Sequence, residues 1–172
     1  MGKILITGVA GLLGSRLADW IIKNTDYKVV GIDDLSGGFS ENINRSVEFY
    51  KFNLVDLQAL KGVFEKENIE TVYHFAAYAA EGLSPFIRKY NYENNLIVST
   101  NLITCCIQHE ISRFVFASSM SVYGNKYEPP FNENLPQAPI DPYAVAKYAV
   151  EMDLEIANKQ HGLKYTIVRP HN

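Results

Sequence analysis

The sequence predicts an α/β fold, in which a doubly wound parallel sheet carries helices on both faces. Short apolar or β-branched runs alternate with longer amphipathic segments along the 172 residues, which is typical of successive β-α-β units. Several of these runs are nearly continuous, as expected for strands that are covered on both sides. Right-handed crossovers between six such strands predict the sheet order 3-2-1-4-5-6.

The predicted elements follow one another through the whole chain. Six strands are expected, at Lys3–Thr7, Lys28–Ile32, Val47–Lys51, Thr71–Phe75, Phe114–Ala117 and Tyr165–Val168. Four helices are expected between them, at Leu12–Asn24, Leu57–Glu67, Pro85–Gln108 and Pro142–Gln160. The Pro-rich stretch Glu128–Pro142 is expected to form an ordered surface loop. We therefore expect residues 1–172 to form a single domain.

Composition and charge exclude several classes of function. A net charge of −3 and scattered basic residues favour no nucleic-acid partner. No apolar stretch approaches the roughly 20 residues needed to cross a bilayer, and the first strand begins too early to leave room for a signal peptide. Cys105 and Cys106 are adjacent, so we expect small buried hydrophobic side chains and neither a disulfide nor a metal site. A cytoplasmic location fits this chemistry.

The first strand runs into three glycines at three-residue intervals. Gly8 would allow a tight turn, Gly11 a close approach of the backbone to a phosphate, and Gly14 close packing of helix on sheet. Because a strand precedes this turn and an amphipathic helix follows it, we expect a pyrophosphate at the helix N-terminus. The alternative is a glycine-rich turn that holds no ligand.

An acidic residue ends the second predicted strand about 20 residues after the glycines. Asp33 is placed to accept hydrogen bonds from the hydroxyls of an adenosine ribose and to repel a 2′-phosphate. We therefore predict NAD as the cofactor in preference to NADP. The alternative is that Asp33 and Asp34 serve only the turn that follows.

A phenol and an ammonium lie one helical turn apart at Tyr143 and Lys147. A phenol titrates near pH 10, so a nearby cation is needed to stabilise the phenolate near neutral pH. Tyr143 would then remove a proton from an alcohol as hydride leaves the carbon. Ser118 or Ser119, at the end of the fifth strand, could hydrogen-bond the same oxygen.

Taken together, these motifs resemble the extended short-chain dehydrogenase/reductase family, particularly its nucleotide-sugar epimerase/dehydratase branch. The matching segments are Thr7-Gly8-Val9-Ala10-Gly11-Leu12-Leu13-Gly14, His74-Phe75-Ala76-Ala77, Ser118-Ser119-Met120-Ser121-Val122-Tyr123-Gly124, Tyr143-Ala144-Val145-Ala146-Lys147 and Arg169-Pro170-His171-Asn172. The resemblance implies a Rossmann-like domain and a smaller C-terminal domain that completes the substrate site. Since the sequence stops directly after the sixth strand, we expect it to be the N-terminal part of a longer enzyme. We then expect apolar surface to be exposed near that strand. A second copy of the chain, in a homodimer, or a partner chain would cover this surface.

The resemblance also implies roles for individual residues. Catalysis is expected from Ser119, Tyr143 and Lys147, and substrate contacts from Ser119, Tyr143 and Asn172. Cofactor contacts are expected, besides the three glycines and Asp33, from Leu12, Leu13, Asn53, Leu54, Phe75, Ala76, Ala77, Asn94, Asn95, Tyr143, Lys147 and His171. His74 is expected to be a buried core histidine and not a catalyst.

The activity that the resemblance implies is NAD-dependent epimerisation of a nucleoside-diphosphate sugar at C4. Met120 and Ser121 stand where the family's dehydratases carry an Asp-Glu pair, so elimination of water has no evident catalyst. Ala79 stands where a typical galactose epimerase has a lysine. A sugar-nucleotide decarboxylase, a reductase and a non-catalytic NAD-binding module remain as alternatives.

Overall fold

Six parallel strands form the centre of the molecule, in the order β3-β2-β1-β4-β5-β6. The computed structural model describes residues 2–171. The strands are β1 Lys3–Thr7, β2 Lys28–Asp33, β3 Glu48–Lys51, β4 Ile69–His74, β5 Arg113–Ala117 and β6 Tyr165–Val168. The predicted doubly wound sheet and its strand order are therefore confirmed.

Helices cover the two faces of this sheet. They are α1 Leu12–Asn24, α2 Leu57–Lys66, α3 Arg88–Tyr92, α4 Val98–Gln108 and α5 Pro142–His161, with 3₁₀ turns at Ser40–Asn42, Glu81–Leu83 and Met120–Tyr123. The larger apolar core joins β-strand side chains to α2, α4 and α5, and the smaller one lies beneath α1. No helix within residues 2–171 has both the length and the apolar character needed to span a membrane.

The long helix predicted at 85–108 is the element that differs most. Helix α3 begins only at Arg88, because the N–H groups of Phe86 and Ile87 bond back to Leu83 and Ser84 in the preceding turn. A π-helical turn at Glu93–Ile97 then separates α3 from α4. The Ser99 hydroxyl of α4 donates to the Asn95 carbonyl oxygen in this turn over 2.6 Å, so a side chain competes for a helix acceptor.

The other boundaries shift by one or two residues. Strand β2 extends to Asp33, which is paired with Lys51 of β3. Strand β4 covers Ile69–His74 and so leaves Phe75 just beyond it, while α5 continues to His161 and ends in the left-handed Gly162. Gly8, Gly11, Asn53, Leu54 and residues 75–77 accordingly lie in loops at the carboxyl edge of the sheet, whereas Asp33 ends β2.

Two expectations about side-chain environment are confirmed. Cys105 and Cys106 are free and buried. At the edge strand, Val168 keeps 46% of its surface exposed, so apolar surface lies open beside β6.

Candidate active site

A cleft of about 220 Å³ opens at the carboxyl edge of the sheet, beyond the ends of β1, β2 and β4. Ligands of doubly wound sheets bind at this edge. Predicted cofactor residues line it, namely Gly8, Gly11, Asp33, Asn53, Leu54, Phe75, Ala76, Ala77 and Asn94. Ser36, Gly37, Gly38, Tyr78, Tyr90 and Val98 line it as well. Sequence motifs do not single out this second set. Ser36, Gly37, Gly38 and Tyr78 reach the cleft from the loops after β2 and β4, whereas Tyr90 and Val98 reach it from α3 and α4.

The glycine turn has a shape that side chains would disrupt. Gly8 has φ +71°, and a Cβ there would lie 2.7 Å from the Ala76 nitrogen. A Cβ on Gly14 would collide with the Gly8 carbonyl oxygen. Both glycines are therefore needed for close approach of β1, α1 and the loop after β4, as the sequence predicts.

Helix α1 begins at the cleft without a side-chain cap. Gly11 is its N-cap, and the first helical hydrogen bond runs from the Ser15 N–H to the Gly11 carbonyl oxygen over 3.0 Å. Within residues 2–171, no side chain caps the N–H groups of the first turn, which include those of Leu12 and Leu13. The side chains of Leu12 and Leu13 are exposed and do not line the cleft. Such a helix start favours an anion.

Asp33 ties the end of β2 to the glycine turn. Its Oδ2 accepts the Ala10 N–H over 3.0 Å and its Oδ1 accepts the Leu35 N–H over 2.8 Å. Each carboxylate oxygen keeps further acceptor capacity, and Asp33 lines the cleft. Asp33 can therefore stabilise the turn that follows β2 and still accept hydrogen bonds from a ribose.

Asp34 makes hydrogen bonds of its own at the same end of the cleft. Its carboxylate accepts the Ser36 N–H over 2.8 Å and the Asn53 side-chain amide over 2.7 Å. Partial burial raises the pKa of Asp34, but these hydrogen bonds outweigh it and hold the pKa below its ordinary value. Asn53 also donates to the Asn94 side-chain oxygen over 3.2 Å, so the segment after β3 and the π-helical turn meet here.

The two adjacent asparagines predicted to support the cofactor occupy different places. Asn94 lines the cleft. Asn95 is only 1% exposed, and its amide bonds both the N–H and the carbonyl of Tyr78, over 2.9 and 3.2 Å. Asn95 therefore holds the loop after β4 instead of facing the cleft.

Tyr143 and Lys147 lie on the buried side of α5, as their spacing predicts. Asp141 caps the helix by accepting the Ala144 N–H over 2.9 Å. The Lys147 ammonium donates to the Ala117 carbonyl oxygen at the end of β5 over 2.8 Å and lies 5.7 Å from the centre of the Tyr143 ring. The start of α5 is thereby fixed against the end of β5.

Burial is the largest influence on the pKa values of Tyr143 and Lys147. It raises the pKa of Tyr143, against the opposing effect of the Ser119 hydroxyl, and nearby Glu81 and Asp141 raise it further. It lowers the pKa of Lys147 to about 8, although the Glu151 carboxylate opposes this. The phenolate that the sequence interpretation assigns to Tyr143 is thus not favoured in this structure.

The two serines at the end of β5 separate into different environments. Ser118 is buried, and its hydroxyl donates to the Glu151 carboxylate. Ser119 is half-buried, and its Oγ accepts the Ser121 N–H over 3.2 Å. The Ser121 hydroxyl is buried and has no hydrogen-bond partner among residues 2–171. Ser119 is thus the better placed of the two toward Tyr143, with Ser121 as an additional hydroxyl nearby.

His171 is exposed and lines a second depression beside β6, together with Met120, Phe131 and Arg169. Asn172, predicted to touch substrate phosphates, lies outside the described residues. The ion pair between Glu151 and Arg169, which braces this region, is not predicted from the sequence, although Arg169 begins one of the matching segments. The only signal for Glu151 is its position one helical turn after Lys147.

Comparison with known proteins agrees with this geometry. A model described as the NAD dependent epimerase/dehydratase family matches residues 4–172. The chain is 32% identical over 169 residues to a UDP-glucose 4-epimerase of Halalkalibacterium halodurans, covering 98% of this chain and 50% of that protein.

Solved structures agree as well. A UDP-glucose 4-epimerase of Thermotoga maritima, solved with UDP-glucose, has a TM-score of 0.94 at 36% identity, covering 97% of this chain and 54% of the other. The Thermus thermophilus UDP-glucose 4-epimerase in complex with NAD has a TM-score of 0.92 at 30% identity, covering 97% and 54%.

The chain thus spans about half the length of the relatives it matches. NAD, the cofactor predicted from Asp33, is the one that the family's description names. With the sheet order, the glycine turn and the match over residues 4–172 in agreement, the chain belongs to the NAD-dependent epimerase/dehydratase family.

Proposed function

We propose that residues 1–172 are the NAD-binding domain of a nucleoside-diphosphate-sugar 4-epimerase. The observation that carries this proposal is the position of Tyr143 and Lys147 at the same sheet edge as the glycine-lined cleft. The relatives named UDP-glucose 4-epimerase support the substrate class.

The described residues fit the cofactor. The start of α1 would take the pyrophosphate, Asp33 the adenosine ribose, and the backbone at Phe75–Ala77 the nicotinamide side. The start of α1 supports this fit, because no side chain among residues 2–171 caps its first N–H groups. When bound, NAD would accept hydride from the sugar carbon and return it within one catalytic cycle.

Three side chains would handle the proton. Tyr143 would take the proton of the C4 hydroxyl and give it back when the sugar is reduced again, while the Ser119 hydroxyl holds the same oxygen. Because burial raises the pKa of Tyr143 here, this function requires that pKa to fall in the complex. Lys147 supplies a positive charge 5.7 Å from the ring, and it would also contact the nicotinamide ribose.

Epimerisation is favoured over dehydration because Met120 and Ser121 supply no acid and base beside Ser119. A decarboxylase or reductase of the same family remains the alternative. Release of carbon dioxide from a sugar nucleotide that carries a carboxylate, or net oxidation of NADH by a carbonyl substrate, would favour one of these over the epimerase.

The coverage of only half of each relative favours a second candidate for the chain by itself, a module that binds NAD without turnover. We expect purified residues 1–172 to bind NAD in a calorimetric titration and to interconvert UDP-glucose and UDP-galactose negligibly. The product of the complete reading frame should do both. Rates from residues 1–172 comparable to that product would contradict the domain assignment, and absence of turnover in both would contradict the epimerase.

We further propose a homodimer in the cytoplasm. An apolar stripe supports the dimer, since Val145, Met152 and Ile156 of α5 are each at least 40% exposed and follow one another at helical spacing. The free, buried Cys105 and Cys106 suit a reducing compartment. Light scattering of the wild type and of Met152→Glu tests the dimer, and a wild type that is monomeric at all concentrations would contradict it.

A further inference from the structure

A hydrogen-bonded network of buried polar side chains crosses the core between β1 and α5. None of its members is one of the residues proposed to handle the substrate proton. Its members are at most 1% exposed: Thr7, His74, Asn91, Asn95 and Ser99. Buried polar groups persist when each finds a partner, and every one of these does. The directions of the hydrogen bonds determine which elements this network connects.

The first half of this hydrogen-bonded network runs through His74. The Ser99 hydroxyl donates to the Asn95 carbonyl oxygen over 2.6 Å, so it accepts from His74 Nε2 over 2.9 Å. The Nδ1 of His74 then accepts from the Thr7 hydroxyl over 2.7 Å. Burial, with a smaller contribution from Lys147, lowers the pKa of His74 to about 3. The imidazole is therefore neutral, with its proton on Nε2, as the directions of these bonds require.

The second half connects α3 and the π-helical turn to α5. The Asn95 amide donates to the Asn91 side-chain oxygen over 2.8 Å. The Asn91 amide in turn donates to the Pro142 carbonyl oxygen over 2.9 Å. Asn95 at the same time bonds both backbone groups of Tyr78, which lines the cleft. Two asparagines thus join the cleft wall to the residue directly before Tyr143.

We infer that Asn91 is a positioning residue for Tyr143, and that it sets the first turn of α5 relative to the cofactor cleft through Pro142 and Asn95. Asn91 is 0% exposed and does not itself line the cleft. This role rests on the proposed proton transfer by Tyr143.

The start of α5 has a second attachment, which makes the contribution of Asn91 separable. Asp141 caps the helix and accepts the Ser84 hydroxyl over 3.2 Å. These bonds hold the helix end in its capped conformation, whereas the Asn91 bond links it to α3 and, through Asn95, to the π-helical turn. Loss of Asn91 should thus leave α5 formed but less precisely placed, and small displacements of a catalytic group are costly.

The variant Asn91→Asp tests this inference. Its side chain is nearly the same size and can still accept from Asn95, but an ionised carboxylate cannot donate to the Pro142 carbonyl. The control is Asn158→Asp at the far end of α5, where the exposed Asn158 amide donates to the Leu163 carbonyl oxygen over 3.0 Å. Both variants remove one bond from a side-chain amide to a backbone carbonyl.

In the product of the complete reading frame at pH 8, we expect Asn91→Asp to lower kcat by about tenfold to a hundredfold. KM and the NAD dissociation constant should stay within about twofold of the wild type, since ground-state binding is unchanged. The defect should shrink as the pH falls, because the introduced carboxyl group, once protonated, can donate to the Pro142 carbonyl again. The Asn158→Asp variant should show none of these effects.

Hydrogen exchange on residues 1–172 gives a readout that does not depend on turnover. We expect amide exchange in the first turn of α5 to be about tenfold faster in Asn91→Asp than in the wild type, with the rest of α5 unchanged. Absence of wild-type turnover would contradict the proposed function alone, and exchange would still decide the role of Asn91. Unchanged exchange and kcat, equal defects in both variants, or a parallel loss of NAD binding would overturn the inference.

Discussion

The Arg169 guanidinium holds the Glu151 carboxylate through two hydrogen bonds, from Nε to Oε1 over 3.0 Å and from Nη2 to Oε2 over 2.6 Å. The same guanidinium donates from Nη1 to the Tyr123 hydroxyl over 2.6 Å, and Ser118 donates to the same carboxylate. The Glu151 hydrogen bonds raise the pKa of Arg169. This pair therefore joins the end of β6, helix α5 and the segment after β5 around Ser119.

Removing the charge of Glu151 should destabilise the fold. We expect Glu151→Gln to lower the free energy of unfolding by about 3 kcal/mol, since it leaves a largely buried guanidinium without its carboxylate. Chemical denaturation of residues 1–172 measures this difference. Glu155→Gln on the same helix is the control, because its partner Lys159 is exposed and such pairs contribute little. Similar losses in both variants would contradict the bracing role of Glu151.

Asp33 should select the cofactor. We expect NAD to bind at least about tenfold more tightly than NADP, or about 1.4 kcal/mol, because a 2′-phosphate would meet the carboxylate. Calorimetric titration of residues 1–172 with both dinucleotides measures the ratio. Asp34→Asn should leave the ratio nearly unchanged, whereas equal or reversed affinities in the wild type would remove Asp33 from this role.

Tyr143 should be required for turnover and not for cofactor binding. In the product of the complete reading frame, Tyr143→Phe should abolish most of kcat while the NAD dissociation constant stays nearly unchanged, since the phenol is proposed to act on the substrate proton. Tyr148→Phe removes a hydroxyl from the same helix and should be nearly silent. Near-normal kcat in Tyr143→Phe would contradict the mechanism.

Lys147 should affect both NAD binding and turnover. We expect Lys147→Met to weaken NAD binding, because the ammonium is proposed to contact the nicotinamide ribose. We expect it also to reduce kcat, because the ammonium is proposed to lower the pKa of Tyr143. Normal NAD affinity in this variant would contradict the ribose contact.

Lys147 should also give stability a characteristic dependence on pH. Its pKa is about 8 in the folded chain, against 10.5 ordinarily, so between these values the unfolded chain binds more protons. The contribution of Lys147 to the free energy of unfolding should therefore increase with pH, by about 2 kcal/mol between pH 8 and pH 10. Denaturation curves of the wild type and Lys147→Met across this range isolate the effect, and parallel pH profiles would show that the folded pKa is not depressed.

Most of the sheet could be predicted because its signals are local. Strand β1 and the glycine turn adjoin in sequence, and the structure shows that Gly8 and Gly14 are required where the motif puts them. The i, i+4 spacing of Tyr143 and Lys147 likewise specifies a shared helix face.

Other features depend on competition between groups and could not be predicted in this way. The late start of α3 and the π-helical turn arise from hydrogen bonds of neighbouring turns and of Ser99. Periodicity describes which face is apolar, and it contains no information about which acceptor a hydroxyl will choose.

By itself, the sequence determined the α/β class, the strand order, the glycine turn and the chemical types expected at the cleft. These follow from residue type, short-range spacing and the right-handedness of β-α-β crossovers. Only the tertiary structure decided that Asn95 faces the core, that Asn91 reaches Pro142 across 51 residues of sequence, and that burial raises the pKa of Tyr143. The physical reason is that pairing and desolvation of polar groups depend on which segments pack together, and this is set by the whole chain.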